Sequence, residues 1–147
     1  MSQQLMAEGE DIYASMQKFV PTVMRKLSTQ ETVTPKGTAT DYAQFWTERL
    51  PAQLEKLERL CPFNGGASGY LPGELYLFSM LYQATLVDAS CLGRFSKLGK
   101  WFNALKAHKK TQRVLSGKSS MGALVPYFIS PDSDKYAGAS DQGGRWG

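Results

Sequence analysis

The run Pro72-Gly73-Glu74-Leu75-Tyr76-Leu77-Phe78-Ser79-Met80-Leu81-Tyr82-Gln83-Ala84-Thr85-Leu86-Val87 carries a single charge, Glu74, before Asp88 ends it. A helix that is apolar on nearly every side belongs in the middle of a bundle, where neighbours cover it all round. Pro72 suits the first helical turn, and Glu74 suits the positive end of the helix dipole. The stretch therefore predicts a central helix over about 72–89 and an all-α fold, a helical bundle of about five helices packed around it.

On the C-terminal side, Phe95, Leu98, Trp101, Phe102 and Leu105 recur at helical spacing, while Lys97, Lys100 and Lys106 occupy the remaining face. This predicts an amphipathic helix packed on the central one. Residues 109–115 read as a short further helix ending near Gly117, and 121–129 as an irregular apolar segment. Residues 131–147, rich in Gly, Ser and Asp, read as a flexible tail, which leaves residues 1–130 as the folded domain.

On the N-terminal side, residues 61–69 are a breaker-rich loop. Its glycines do not make a phosphate cradle, because no Gly-Lys-Ser/Thr follows them and no strand precedes them. Tyr42, Phe45, Trp46, Leu50, Leu54 and Leu57 predict a helix from Asp41, capped by Thr38 or Thr40 and bent at Pro51. Its alternating Glu48, Arg49, Glu55, Lys56, Glu58 and Arg59 read as a solvated face. The Thr-rich stretch 28–40 reads as a loop. Residues 3–27, with Ile12, Met16, Phe19, Val23 and Met24 at helical spacing, predict a first helix interrupted at Pro21.

Composition narrows the function. The 147 residues are 42% hydrophobic, a globular composition for one domain. The first residues lack a basic and then apolar leader, and no apolar run approaches the roughly 20 residues that cross a bilayer, so a cytoplasmic protein without membrane partners is expected. Cys61, Cys91 and His108 cannot assemble a metal site, and the two thiols read as buried and reduced. The net charge of +4 is unevenly spread: residues 1–88 hold seven Lys/Arg against ten Asp/Glu, whereas 89–131 hold eight against none.

The order charge-poor helix, short connection, then Phe95-x-x-Leu98-x-x-Trp101-x-x-x-Leu105 and a basic short helix resembles the C-terminal helical domain of the glutathione transferase superfamily. Gly73-Glu74-Leu75-Tyr76-Leu77-Phe78 lies on the family's Ala-Asp-Leu-x-Leu-Phe helix opening. Leu71 stands at the family's capping Ser/Thr, and Ser96 at its usual Pro. The resemblance covers 41–115, with 3–27 as that domain's first helix, and implies a domain standing without the thioredoxin-like half that supplies the thiol-activating residue and most of the glutathione site.

No catalytic residue is therefore assigned. Tyr13 sits in a helical pattern rather than at the end of a first strand, and His108 has no Ser, Cys or Asp partner at a recognisable spacing. Domains like this one occur alone in elongation-factor and aminoacyl-tRNA synthetase complexes, so the resemblance implies a non-catalytic protein–protein interaction module. Its partner would be an acidic protein or a related helical domain, with homodimerisation as one form of the latter. The docking residues would be Arg94, Lys97, Lys100, Lys106, Lys109, Lys110 and Arg113. Two alternatives stand beside it. One is RNA binding through the basic segment 94–118, with Trp101 or Tyr127 as stacking platforms. The other is a glutathione transferase-like protein, the only reading with glutathione as cofactor, in which Phe19, Tyr42, Trp46 and Tyr82 line an apolar pocket.

Overall fold

The computed structural model describes residues 2–19, 22–26, 29–33, 39–60 and 69–120. The predicted kink residue Pro21, most of the glycine loop with Cys61, the apolar segment 121–129 with Tyr127, and the tail 131–147 lie outside the described residues. Six α-helices and one two-stranded ribbon make up the described chain, so the fold is mainly helical, as expected. The elements are α1 (Ser2–Phe19), β1 (Thr22–Lys26), β2 (Thr29–Val33), α2 (Ala39–Gln44), a π-helical turn (Phe45–Arg49), α3 (Leu50–Leu60), α4 (Pro72–Val87), α5 (Ser96–Ala107) and α6 (Lys109–Leu115).

The ribbon corrects two expectations. Residues 22–26 are a strand and not the second half of a kinked helix, and 29–33 are a strand and not a loop. The two pair antiparallel, with Thr22 opposite Val33 and Lys26 opposite Thr29. The β-branched Thr22, Val23, Thr29, Thr32 and Val33 favour the extended backbone, and α1 stops at Phe19, two positions short of a proline that could not donate to its fourth-preceding carbonyl. Apolar residues spaced by three or four in so short a run fit helix and strand alike.

Pro51 acts differently from a simple bend. Its missing N–H and its ring disrupt the regular ladder, and the chain widens ahead of it into the π-helical turn, where Leu50 N–H donates to Phe45 O. The helix continues on the far side as α3. Thr40 is no cap, being the second residue of α2.

The core gathers one stripe from each long helix: Leu5, Ile12 and Met16 of α1, Leu50, Leu54 and Leu57 of α3, Leu77 and Leu81 of α4, and Leu98 and Leu105 of α5 are all essentially inaccessible to solvent. Helix α4 sits among them as its composition demands; only Pro72 and Leu75 of its residues are exposed. Against α1 it packs in the same direction, since Ser2 meets Gly73 and Gly9 meets Leu77. The fit is close because glycines face each contact: a Cβ on Gly9 would stand 2.8 Å from the Tyr76 ring, and one on Gly73 would stand 2.0 Å from the Ser2 carbonyl oxygen. Gly73 N–H also donates to Ser2 Oγ at 2.9 Å, which satisfies one of the amides that a helix start leaves open.

Candidate partner-docking face

Most of the basic segment is carried by α5 and α6, and acidic residues elsewhere in the chain hold α5 in place. Phe95 at the N-cap of α5 has no side chain able to accept a hydrogen bond. Glu58 of α3 supplies the cap from outside: its carboxylate accepts from Leu98 N–H at 2.7 Å, from Lys97 N–H at 2.9 Å and from the Ser96 hydroxyl at 3.3 Å. Partial desolvation pushes the Glu58 carboxyl upward, but these donors, with the nearby Lys97 charge, outweigh it and leave the group below its ordinary value.

Glu74 makes the second attachment. Fully buried at the third position of α4, it accepts from Leu71 N–H at 2.8 Å and from the Trp101 indole N–H at 3.1 Å. It thus closes the first turn of its own helix and ties α5 to it. Leu71 contributes only its backbone to this half of a capping box.

Helix α6 has no fully buried residue; it is seated by its caps and by Gln112 Nε2, which donates to Lys106 O of α5 at 2.5 Å. His108 Nδ1 accepts from Lys110 N–H at 3.3 Å, and the ring lies edge-on to Tyr70 with centroids 6.1 Å apart. At the other end Gly117 adopts φ 72°, with Gly117 N–H bonded to Val114 O and Lys118 N–H to Arg113 O, the two bonds of a Schellman stop.

On this frame Arg94, Lys97, Lys100, Lys106, Lys109, Lys110 and Arg113 are all exposed. Among the described residues none of the seven has a carboxylate oxygen within ion-pair distance. Arg94 stacks its guanidinium over Phe95 at 5.1 Å. Lys109 and Lys110 occupy the first turn of α6, the end where the helix dipole disfavours cations. Three acidic residues of the described chain are engaged elsewhere in the fold. Glu8 is buried and paired with Lys56, Glu10 accepts from the Tyr76 hydroxyl, and Glu58 caps α5. The Tyr76 phenol is pushed up to about 12, chiefly by that bond to Glu10.

Lys56 and Glu58 therefore do more than decorate a solvated face, and Arg49 stacks over the Phe19 ring at 4.4 Å. The hydrogen-bond partners of Lys56 and Glu58 lie 38 to 48 residues away in sequence, beyond the reach of any local pattern. Trp101 is corrected too: 7% exposed and bonded to Glu74, it offers no face to a base.

Of the four residues expected to line an apolar pocket, three share one aromatic cluster. Phe19 stacks on Phe45, Phe45 meets Trp46 edge-to-face at 4.9 Å, and Trp46 meets Tyr42 at 6.4 Å. Tyr82 lies apart, stacked on Phe78 at 6.0 Å. It lines a separate groove between α4 and α5 with a volume of about 540 Å³, which none of the other three residues reaches. Tyr13 bonds to Gln17 on the surface of α1. Cys91 lies half-buried in the turn after α4, its thiol pushed up to about 12 by desolvation and by the Asp88 charge, so it stays protonated and inert.

Among the described residues no three His, Cys, Asp or Glu side chains gather as a metal site, and no helix is long and apolar enough to cross a membrane. No protein-family model matches the chain, and no curated protein matches it either.

Proposed function

We propose that the chain is a non-catalytic interaction module that docks an acidic protein segment on α5 and α6. The observation that carries this is the set of seven exposed cations from Arg94 to Arg113, unpaired among the described residues, with two of them set against the dipole of α6. Such a placement costs helix stability, and α6 has no fully buried residue to compensate for it. An anionic partner supplies the missing charge and draws the complex together at long range.

The resemblance to glutathione transferase C-terminal domains supports the reading. The resemblance rests on the sequence pattern of Glu74 and of Leu98, Trp101 and Leu105; in this chain Glu74 closes the first turn of α4 and the other three are buried. In that company, cytoplasmic translation-associated assemblies are the proposed setting. The burial of Trp101 favours protein over RNA, because sequence-tolerant RNA binding relies on exposed aromatic platforms.

The test is fluorescence anisotropy with a labelled Asp/Glu-rich peptide and a single-stranded RNA of equal charge. The peptide is expected to bind, to weaken as salt rises, and to lose at least about tenfold in affinity against a Lys97→Glu, Lys109→Glu, Lys110→Glu, Arg113→Glu protein. Tighter binding of the RNA, or no peptide binding at low salt, contradicts the proposal.

A further inference from the structure

The groove between α4 and α5 opens on the same face. Its apolar lining comes from Tyr82 and Leu86 of α4, Leu92 and Phe95 of the intervening turn and Phe102 of α5, beside the hydroxyls of Thr85 and Ser96. At its mouth stand Asn103, Lys100 and Lys106, and no carboxylate lines it. A volume near 540 Å³ falls in the range of pockets that take small ligands or single anchor side chains. Burial raises the Tyr82 phenol, which therefore remains a neutral hydrogen-bond donor at the groove wall.

Gly99 singles this groove out. Glycine inside a helix is less favourable than alanine by about 0.5–1 kcal/mol, and natural helices carry it where a neighbour comes too close for a Cβ. That reason holds at Gly9 and fails at Gly99. A Cβ on Gly99 would meet only the Leu92 carbonyl oxygen, at an ordinary 3.7 Å, and a longer side chain there would enter the groove. The glycine costs helix stability, relieves no clash among the described residues, and keeps the space empty.

We infer that the groove receives one large apolar side chain of the acidic partner segment, whose flanking carboxylates meet Lys100 and Lys106 while Asn103 bonds the segment's backbone. This rests on the docking reading above and names its specificity: an Asp/Glu-rich peptide with an embedded Phe, Leu or Trp. The occupant is argued from charge complementarity, since a groove with an apolar wall, rimmed by Lys100 and Lys106 and lined by no acid among the described residues, favours an acidic segment over a basic one.

The experiment compares two 14-residue Asp/Glu-rich peptides that differ only at a central Phe or Ser, titrated into the full chain. The wild-type protein is expected to bind the Phe peptide about tenfold or more tightly than the Ser peptide, the preference that burying one aromatic side chain confers. Filling the groove with Gly99→Leu should abolish that preference while leaving the salt-sensitive binding of the Ser peptide. Lys109→Glu with Lys110→Glu should weaken both peptides equally. Amide NMR shifts on the unaltered protein give a readout independent of any variant: the Phe peptide should move Gly93, Phe95 and Gly99, and the Ser peptide should not. Equal binding of the two peptides to the wild type overturns the groove inference and leaves the charged face standing. Failure of both peptides to bind overturns the charged face as well.

Discussion

Helix α4 has two unlike sides, and a glycine marks each. Toward α1, Gly9 and Gly73 let backbones approach until no further atom fits; toward α5, Gly99 borders a groove that would accept a side chain without collision. The same residue type thus serves closure on one side and vacancy on the other. A glycine present for lack of room is structural. One present despite room is better explained by something that enters the space.

Alanine at each position breaks the comparison in a defined direction. Gly73→Ala should be the most damaging, because its Cβ would lie 2.0 Å from the Ser2 carbonyl oxygen and the first turn of α1 must shift. A loss of about 2 kcal/mol is expected, seen as a fall of roughly 4–8 °C in Tm by calorimetry. At Gly9 the new methyl would press on the Tyr76 ring at 2.8 Å, but the helix gains intrinsic propensity. Chemical denaturation should therefore report a net loss of about 1 kcal/mol.

The attachment of α5 comes next. Glu58→Ala removes the only side chain that caps α5 among the described residues and should cost about 0.5–1 kcal/mol, the lower part of the capping range because the carboxylate remains in contact with solvent. Glu58 also sets a pH dependence. Its folded value lies below the ordinary 4.5, so its contribution is complete above about pH 5 and disappears as pH falls through the folded value. The stability difference between the wild type and Glu58→Gln should hold steady from pH 7 to 5 and shrink as the pH falls below the ordinary carboxylate range; a difference that persists in strong acid would show that the charge is not what caps the helix. The smallest effect has the opposite sign: Gly99→Ala should stabilise by about 0.5–1 kcal/mol, near 2 °C in Tm. Destabilisation there would mean that the groove is not open.

Much of this fold is legible in the sequence wherever the determinant is local. The charge-poor run gave the central helix almost to its ends, the stripe from Phe95 to Leu105 gave α5, and the basic short helix closes at Gly117 as expected. The ribbon at 22–33 was not legible, since five-residue runs of mixed apolar and β-branched residues satisfy both periods. Nor were Glu58 on α5, Lys56 on Glu8 or Glu74 on Trp101, because each joins residues far apart in sequence. The basic face was visible as a charge imbalance; what the folded arrangement adds is that Glu8, Glu10 and Glu58 are engaged elsewhere in the fold. The groove escaped because its walls come from two helices and a turn, and its marker, Gly99, reads locally as an ordinary weak point in a helix.

The most direct test of an unfilled side on α4 is to titrate the Phe-bearing acidic peptide into wild-type and Gly99→Ala proteins side by side. The stabler alanine protein should bind the peptide more weakly, its methyl group occupying space the Phe ring needs. Equal or tighter binding by the alanine protein would contradict a glycine kept for the sake of the groove.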